Sequence, residues 1–142
     1  MTNDEIKSKI ISLVPDAEFA ENKQYTDALI PAGKLHDLCK TLKESTDTIF
    51  DYLFCLSGLD MNNQLMVVYH ITSSVYHHSV VLKVKTADRE SPAFDTVSDI
   101  WRTAEFHERE VFDLFGIKFN NHPDLRRIFL DEEWKGYPLR KD

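Results

Sequence analysis

Glu105, Arg109 and Asp113 stand four residues apart in the stretch 101–130, WRTAEFHEREVFDLFGIKFNNHPDLRRIFL. On a helix that spacing puts all three on one face, where Arg109 can bond a carboxylate on either side. The chemistry available to such a set is ion pairing. Exposed, each pair contributes about 0.2–0.5 kcal/mol. Covered by a partner, an unpaired member costs several kcal/mol instead. Glu108 and Glu110 are two residues apart, so they point to roughly opposite sides of a helix and cannot act together as acid and base. His107-Glu108 opens like the zinc motif HExxH, but Val111 stands where the second histidine belongs. A metal-dependent hydrolase would have to gather His107, Glu110, Asp113 and His122, and acidic helix faces are more often solvated or paired with arginine.

His122-Pro123-Asp124-Leu125-Arg126-Arg127 follows, preceded by Asn120-Asn121. Asparagine and proline here predict a turn. Two readings stand side by side. One is a solvated loop whose apolar neighbours, Leu125 and Ile128-Phe129-Leu130, fold back on the core. The other is a docking element, an apolar anchor with arginine clamps for a partner's carboxylates. The segment from Asp131 to Asp142 has no helical or strand period. Its Trp134, Tyr137 and Arg140 are anchor types favoured at interfaces.

The elements that must position these residues follow from periodicity. A first helix is predicted over 3–14, capped by Asn3 and stopped by Pro15. Two short strands follow at 17–21 and 25–30, with a turn at Asn22-Lys23. The helix at 33–45 carries Leu35, Leu38, Cys39 and Leu42 on one face. Residues 48–57 are apolar on both alternating sets apart from Asp51, the pattern of a central strand. Strands at 64–72 and 76–86 complete an antiparallel meander. Helical periodicity returns from Thr96. Val97, Ile100, Ala104, Val111 and Leu114 form its apolar stripe, His107 lies within it, and Gly116 ends it in a left-handed turn. The order α-β-β-α-β-β-β is that of an α+β fold, a mixed sheet with helices packed on one face, followed by the charged helix and an extended C-terminal segment.

Composition narrows the function. The 142 residues carry a net charge of −7. Residues 1–100 hold nine Lys and Arg against fifteen Asp and Glu, and residues 101–142 hold eight against nine. There is no basic field to attract nucleic acid or anionic lipid. Arg89 is the one arginine before residue 101, and five follow it, which suits fixed ion pairs at an interface. Cys39 and Cys55 form no CxxC, so no zinc-knuckle or iron–sulfur framework is present. Two unpaired cysteines suit a reducing compartment. MTNDEIKSKI is charged and lacks the apolar core of a signal peptide. No apolar run reaches the ~18–20 residues of a membrane span. With four glycines in all there is no phosphate-cradling loop.

EREVFDLFGIKFNNHPDLRRIF, residues 108–129, resembles the signature of the respiratory complex I 30-kDa subunit family, the C subunits of NADH-quinone oxidoreductases; SDIWRTAEFHERE and EEWKGYPLRKD fit the same family. The resemblance implies a non-catalytic structural subunit of the peripheral arm with no cofactor of its own. The assembled complex would carry FMN and iron–sulfur clusters and use NADH and quinone. The chain would pack against the large quinone-site subunit (49-kDa, or D) beside neighbouring iron–sulfur subunits. It would sit at the cytoplasmic face of the bacterial inner membrane, touching the membrane only through the complex. Glu108, Arg109, Glu110, Asp113, His122, Pro123, Asp124, Arg126 and Arg127 match the family pattern position by position, and with Leu125 they are the expected partner interface. Asn121 stands where many members have a small residue such as glycine. The expected division is an α+β domain over 1–116 and a partner-binding tail over 117–142. Related subunits occur in membrane-bound hydrogenases and F420H2 dehydrogenases, which leaves the electron donor open.

Overall fold

The protein is described by a computed structural model covering residues 2–20, 25–127 and 136–140. The first helix, α1 (Asn3–Leu13), is capped by Thr2 rather than Asn3. The Thr2 hydroxyl accepts the Glu5 N–H at 3.2 Å, and the Glu5 carboxylate returns to the Thr2 N–H at 3.4 Å. This reciprocal box satisfies two donors, one more than a lone cap side chain does. Ile6 and Ile10 are fully buried. Strands β1 (Glu18–Ala20) and β2 (Thr26–Leu29) form as expected; the turn at Asn22-Lys23 lies outside the described residues. Helix α2 (Ala32–Glu44) buries Leu35, Leu38, Cys39 and Leu42, the stripe predicted from spacing.

The next apolar run departs from expectation in two ways. Strand β3 begins only at Tyr52 and runs to Asp60. Residues 46–51 instead turn back on the end of α2, where the Thr48 hydroxyl and the Phe50 N–H both donate to the Leu42 carbonyl, at 2.7 and 3.0 Å. And β3 is an edge strand, not a central one. With β4 (Leu65–Thr72) and β5 (Ser79–Thr86), the sheet order is β1-β2-β5-β4-β3. Strands β2 and β5 are parallel and the other pairs antiparallel, so the sheet is mixed. Leu53 and Leu56 of β3 face the core, whereas Tyr52 and Phe54 are exposed. An alternating pattern cannot distinguish a strand covered on both faces from one whose second apolar set is left open.

Three further elements are not separable by period. Strand β6 (Ala93–Asp95) pairs in parallel with β7 (Lys118–Asn120), and between them lies helix α3 (Ala104–Phe115). The helix starts at Ala104, not near Thr96, because tertiary bonds hold the approach in turns. The Trp101 indole donates to the Phe50 carbonyl and the Thr103 hydroxyl to the Leu53 carbonyl, each at 2.9 Å. Core-facing residues of all three described helices and of the large sheet join one cluster, so the helices cover one face of the sheet. No described helix is long and apolar enough to cross a membrane.

Helix α3 packs closely on β3. A Cβ added at Gly58 would lie 2.6 Å from the Phe115 ring, so the missing side chain is what admits the helix. Gly58→Ala is therefore expected to lower stability by about 2 kcal/mol through overpacking, measured as a shift in the urea midpoint. An unchanged midpoint would mean that the ring has room to move.

Candidate functional site

The C-terminal third is organised by α3. Its inward face is Ala104, Glu108, Val111 and Phe115, with Asp113 also buried. The expected stripe places His107 and Leu114 here; in the structure Glu108 is in the core and both are partly exposed, Leu114 still packed against the core cluster. Gly116 ends the helix in the left-handed region at φ 73°, as its type predicts.

Glu108 has no exposed surface. One carboxylate oxygen, Oε2, accepts the Val97 N–H at 2.9 Å, and Oε1 is bonded to the Thr96 hydroxyl. Burial pushes its pKa up to about 7; the bonds from Thr96 and Val97 act against that, and the charges of Asp99 and Glu105 add to it. The carboxyl ties α3 to the turn that follows β6. Nothing in the residue types of Thr96 and Val97 marks them in the sequence; only the fold brings them to Glu108.

His122 lies beside it, 3.9 Å from Oε1 to Nε2, with its side chain fully buried. Nε2 is 2.8 Å from the Glu105 carbonyl, and Nδ1 is 2.9 Å from the Asp124 N–H. Asn121, just before, has φ 67°. That is a left-handed conformation which glycine and asparagine adopt most readily, so an asparagine can stand at this position without strain.

Asp113 and Arg127 form a second buried link. The side chain of Asp113 has no exposed surface, that of Arg127 is 8% exposed, and Oδ1 and Nε are 3.4 Å apart. The Arg127 guanidinium also donates to the Gly136 carbonyl at 2.7 Å and lies 4.9 Å from the centre of the Tyr137 ring. Arg140 also contacts that ring, at 5.6 Å. It donates to the Phe115 carbonyl and to the Arg89 carbonyl, each at 2.7 Å. The Leu139 N–H donates to the Leu114 carbonyl at 3.0 Å. Residues 136–140 thus pack on the C-terminal end of α3 and satisfy carbonyls that a helix terminus leaves unpaired. Gly116 has a second role here, since a Cβ at that position would meet Tyr137 at 2.6 Å. Trp134 and Ile128-Phe129-Leu130 lie outside the described residues.

The expected set therefore separates by direction. Glu108, Asp113, His122 and Arg127 turn their side chains into this chain. Arg109 donates to the Arg126 carbonyl at 3.2 Å and is half-buried, as is Glu110. Leu125 packs against the core cluster. Pro123, Asp124 and Arg126 are exposed, and the Arg126 guanidinium meets Asp124 at 3.1 Å with 61% of its side chain open to solvent. Asp113 thus pairs with Arg127 across the turn, while Arg109 bonds the Arg126 carbonyl. Among the described residues, no three His, Cys, Asp or Glu side chains gather where they could hold a metal ion.

Residues 28–142 match the family described as respiratory-chain NADH dehydrogenase, 30 Kd subunit. The NADH-quinone oxidoreductase C subunit of Roseiflexus castenholzii is 32% identical over 147 residues, covering 100% of this chain and 84% of that one. The NADH-quinone oxidoreductase C/D subunit of Phocaeicola vulgatus is 46% identical over 114 residues. That alignment covers 80% of this chain but only 22% of the C/D protein, so the chain spans a small part of that relative. Among solved structures, a chain of the membrane-bound sulfane sulfur reductase, an archaeal respiratory membrane complex, superposes with TM-score 0.81 at 28% identity, covering 97% of this chain and 83% of its own. The chain belongs to the family of the 30-kDa subunit of respiratory-chain NADH dehydrogenase.

Proposed function

We propose that this chain is the C subunit of a proton-translocating NADH:quinone oxidoreductase, performs no chemistry itself, and docks the large quinone-site (49-kDa, D) subunit. The complex would supply FMN, iron–sulfur clusters, NADH and quinone, and would hold this chain beside its iron–sulfur subunits on the cytoplasmic face of the bacterial inner membrane. The observation that carries the docking role is the division of the arginine turn. Buried links at Glu108, His122 and Asp113–Arg127 hold it in place, and Arg126 is left exposed at its tip. A guanidinium presented on a braced element loses little freedom on binding, which favours affinity. The Phocaeicola vulgatus relative, whose name joins C with D, supports D as the neighbour. Within 117–142 we place the partner-facing part at the exposed Pro123, Asp124 and Arg126, since Ile117 and Phe119 are buried in the core.

Arg126→Glu is the test. It reverses an exposed charge whose ion pair with Asp124 lies at the surface and contributes little, so the isolated chain should keep its stability to within about 1 kcal/mol. Capture of the large subunit should fall at least about 100-fold, the scale of losing a charge-assisted contact at an interface. Normal assembly of the variant into an active complex would overturn the docking role. A second reading rests on the sulfane sulfur reductase chain of the same fold: the same scaffold in a complex with another electron donor. The donor oxidised by the purified complex decides between them.

A further inference from the structure

The HPD turn is held by an imidazole with no exposed surface. Because Nδ1 of His122 accepts the Asp124 N–H at 2.9 Å, it carries no proton. The proton of the neutral ring is then on Nε2, which donates to the Glu105 carbonyl at 2.8 Å. The other tautomer, or the doubly protonated ring, would set an Nδ1–H against the Asp124 N–H, two donors face to face. Only one state of the ring fits this turn. The Asp124 residue so held also carries the carboxylate that meets Arg126 at 3.1 Å. The Arg126 carbonyl in turn accepts from Arg109 of α3 at 3.2 Å. A line of contacts therefore runs from His122 through Asp124 to Arg126. On the other side of the ring, Glu108 Oε1 lies 3.9 Å from Nε2, and its carboxyl is anchored on Thr96 and Val97.

We infer that Glu108 and His122 are positioning residues: together they fix the turn at 121–125 and so aim the Arg126 guanidinium outward for docking. The inference rests on the docking reading above, and it separates the motif into residues that shape the turn and the residue that touches the partner. Glu108 seats the ring against α3 and the 96–97 turn, and His122 transmits that position to Asp124 by one hydrogen bond. A role in stability alone would show no dependence on which ring nitrogen a replacement imitates.

That dependence is the test, made on the full chain alone and with the large subunit. Nitrogen-15 NMR of labelled histidine should find His122 neutral with its proton on Nε2. His122→Asn places an oxygen where Nδ1 stands and should keep Asp124 amide exchange within about threefold of the native rate, while His122→Gln and His122→Ala should speed it at least about tenfold, the loss of one hydrogen bond. Exchange in β4 should stay unchanged. Glu108→Gln should retain protection at Asp124 and Glu108→Ala should lose it. Capture of the large subunit should follow the same order, with His122→Asn and Glu108→Gln near native. A proton found on Nδ1, or equal Asp124 exchange in His122→Asn and His122→Ala, overturns the inference. If exchange follows the expected order but Arg126→Glu captures the large subunit normally, the positioning of the turn is upheld and the docking reading is overturned.

Discussion

Replacing Arg127 with alanine is expected to cost about 3–5 kcal/mol of folding stability, while the same change at Arg126 costs less than about 0.5 kcal/mol. The two arginines are adjacent and chemically identical, so the contrast comes from their surroundings alone. Arg127 faces the fully buried Asp113 carboxylate. Removing the guanidinium takes away the ion pair that Arg127 supplies to a carboxylate in a place where water cannot solvate it. It also removes the donor to the Gly136 carbonyl and a cation over the Tyr137 ring, which loosens residues 136–140 from the end of α3. Arg126 meets Asp124 at the surface, 61% and 47% exposed, where ion pairs contribute little. Arg127→Lys should recover only part of the loss, because a point ammonium cannot reach both the carboxylate and the carbonyl as a planar guanidinium does. Urea unfolding of the native chain and the three variants measures this, and equal midpoints for the two alanine variants would contradict it. Charge reversal at both arginines together would therefore test the fold and not the docking.

The second large effect is a pH dependence of stability from Glu108. Its folded pKa is raised from about 4.5 to about 7, with burial the main cause. Below about 4.5 the group is protonated in both the folded and the unfolded chain. Between those values the unfolded chain releases the proton and the folded one keeps it, so stability falls as pH rises, and above about 7 it levels off. The full swing is about 3 kcal/mol. Most of it should be visible between pH 5 and pH 8. Other carboxylates work in the opposite sense. Asp51, for instance, is held low mainly by its bond from the Ser74 hydroxyl. Comparing the native chain with Glu108→Gln subtracts them. The glutamine keeps an acceptor for the Val97 N–H and cannot ionise, so the variant should match the native chain at pH 5 and exceed it by about 2–3 kcal/mol at pH 8. A difference that does not change with pH would show that Glu108 ionises in the fold as freely as in the unfolded chain.

The surface and interior roles within one motif explain why its residues look alike in sequence. Glu108 and Glu110 are both glutamates on α3, yet one is wholly buried and the other half-exposed. A glutamate in a charged run is ordinarily a solvated residue. What buries Glu108 is the approach of Thr96 and Val97, twelve and eleven residues earlier, and of His122, fourteen later. Arg127 is withdrawn in the same way, by the return of residues 136–140 to α3.

Local order was legible without the fold. The stripe of α2, the left-handed stop at Gly116, the meander of β3, β4 and β5 and the turn at His122-Pro123 follow from spacing and from residue types whose backbone preferences act over a few residues. So did the family resemblance, carried by the residues themselves. Tertiary structure alone decided that β3 lies at the edge, that α3 begins at Ala104, and that β6 and β7 pair. It also decided which charges of Trp101–Arg127 face inward. Strand order and burial depend on contacts between residues far apart in the chain, and a periodic pattern records only that a side chain is apolar or polar, not what comes to cover it. In the charged stretch that distinction separates Arg127, which holds the turn, from Arg126, which the turn presents.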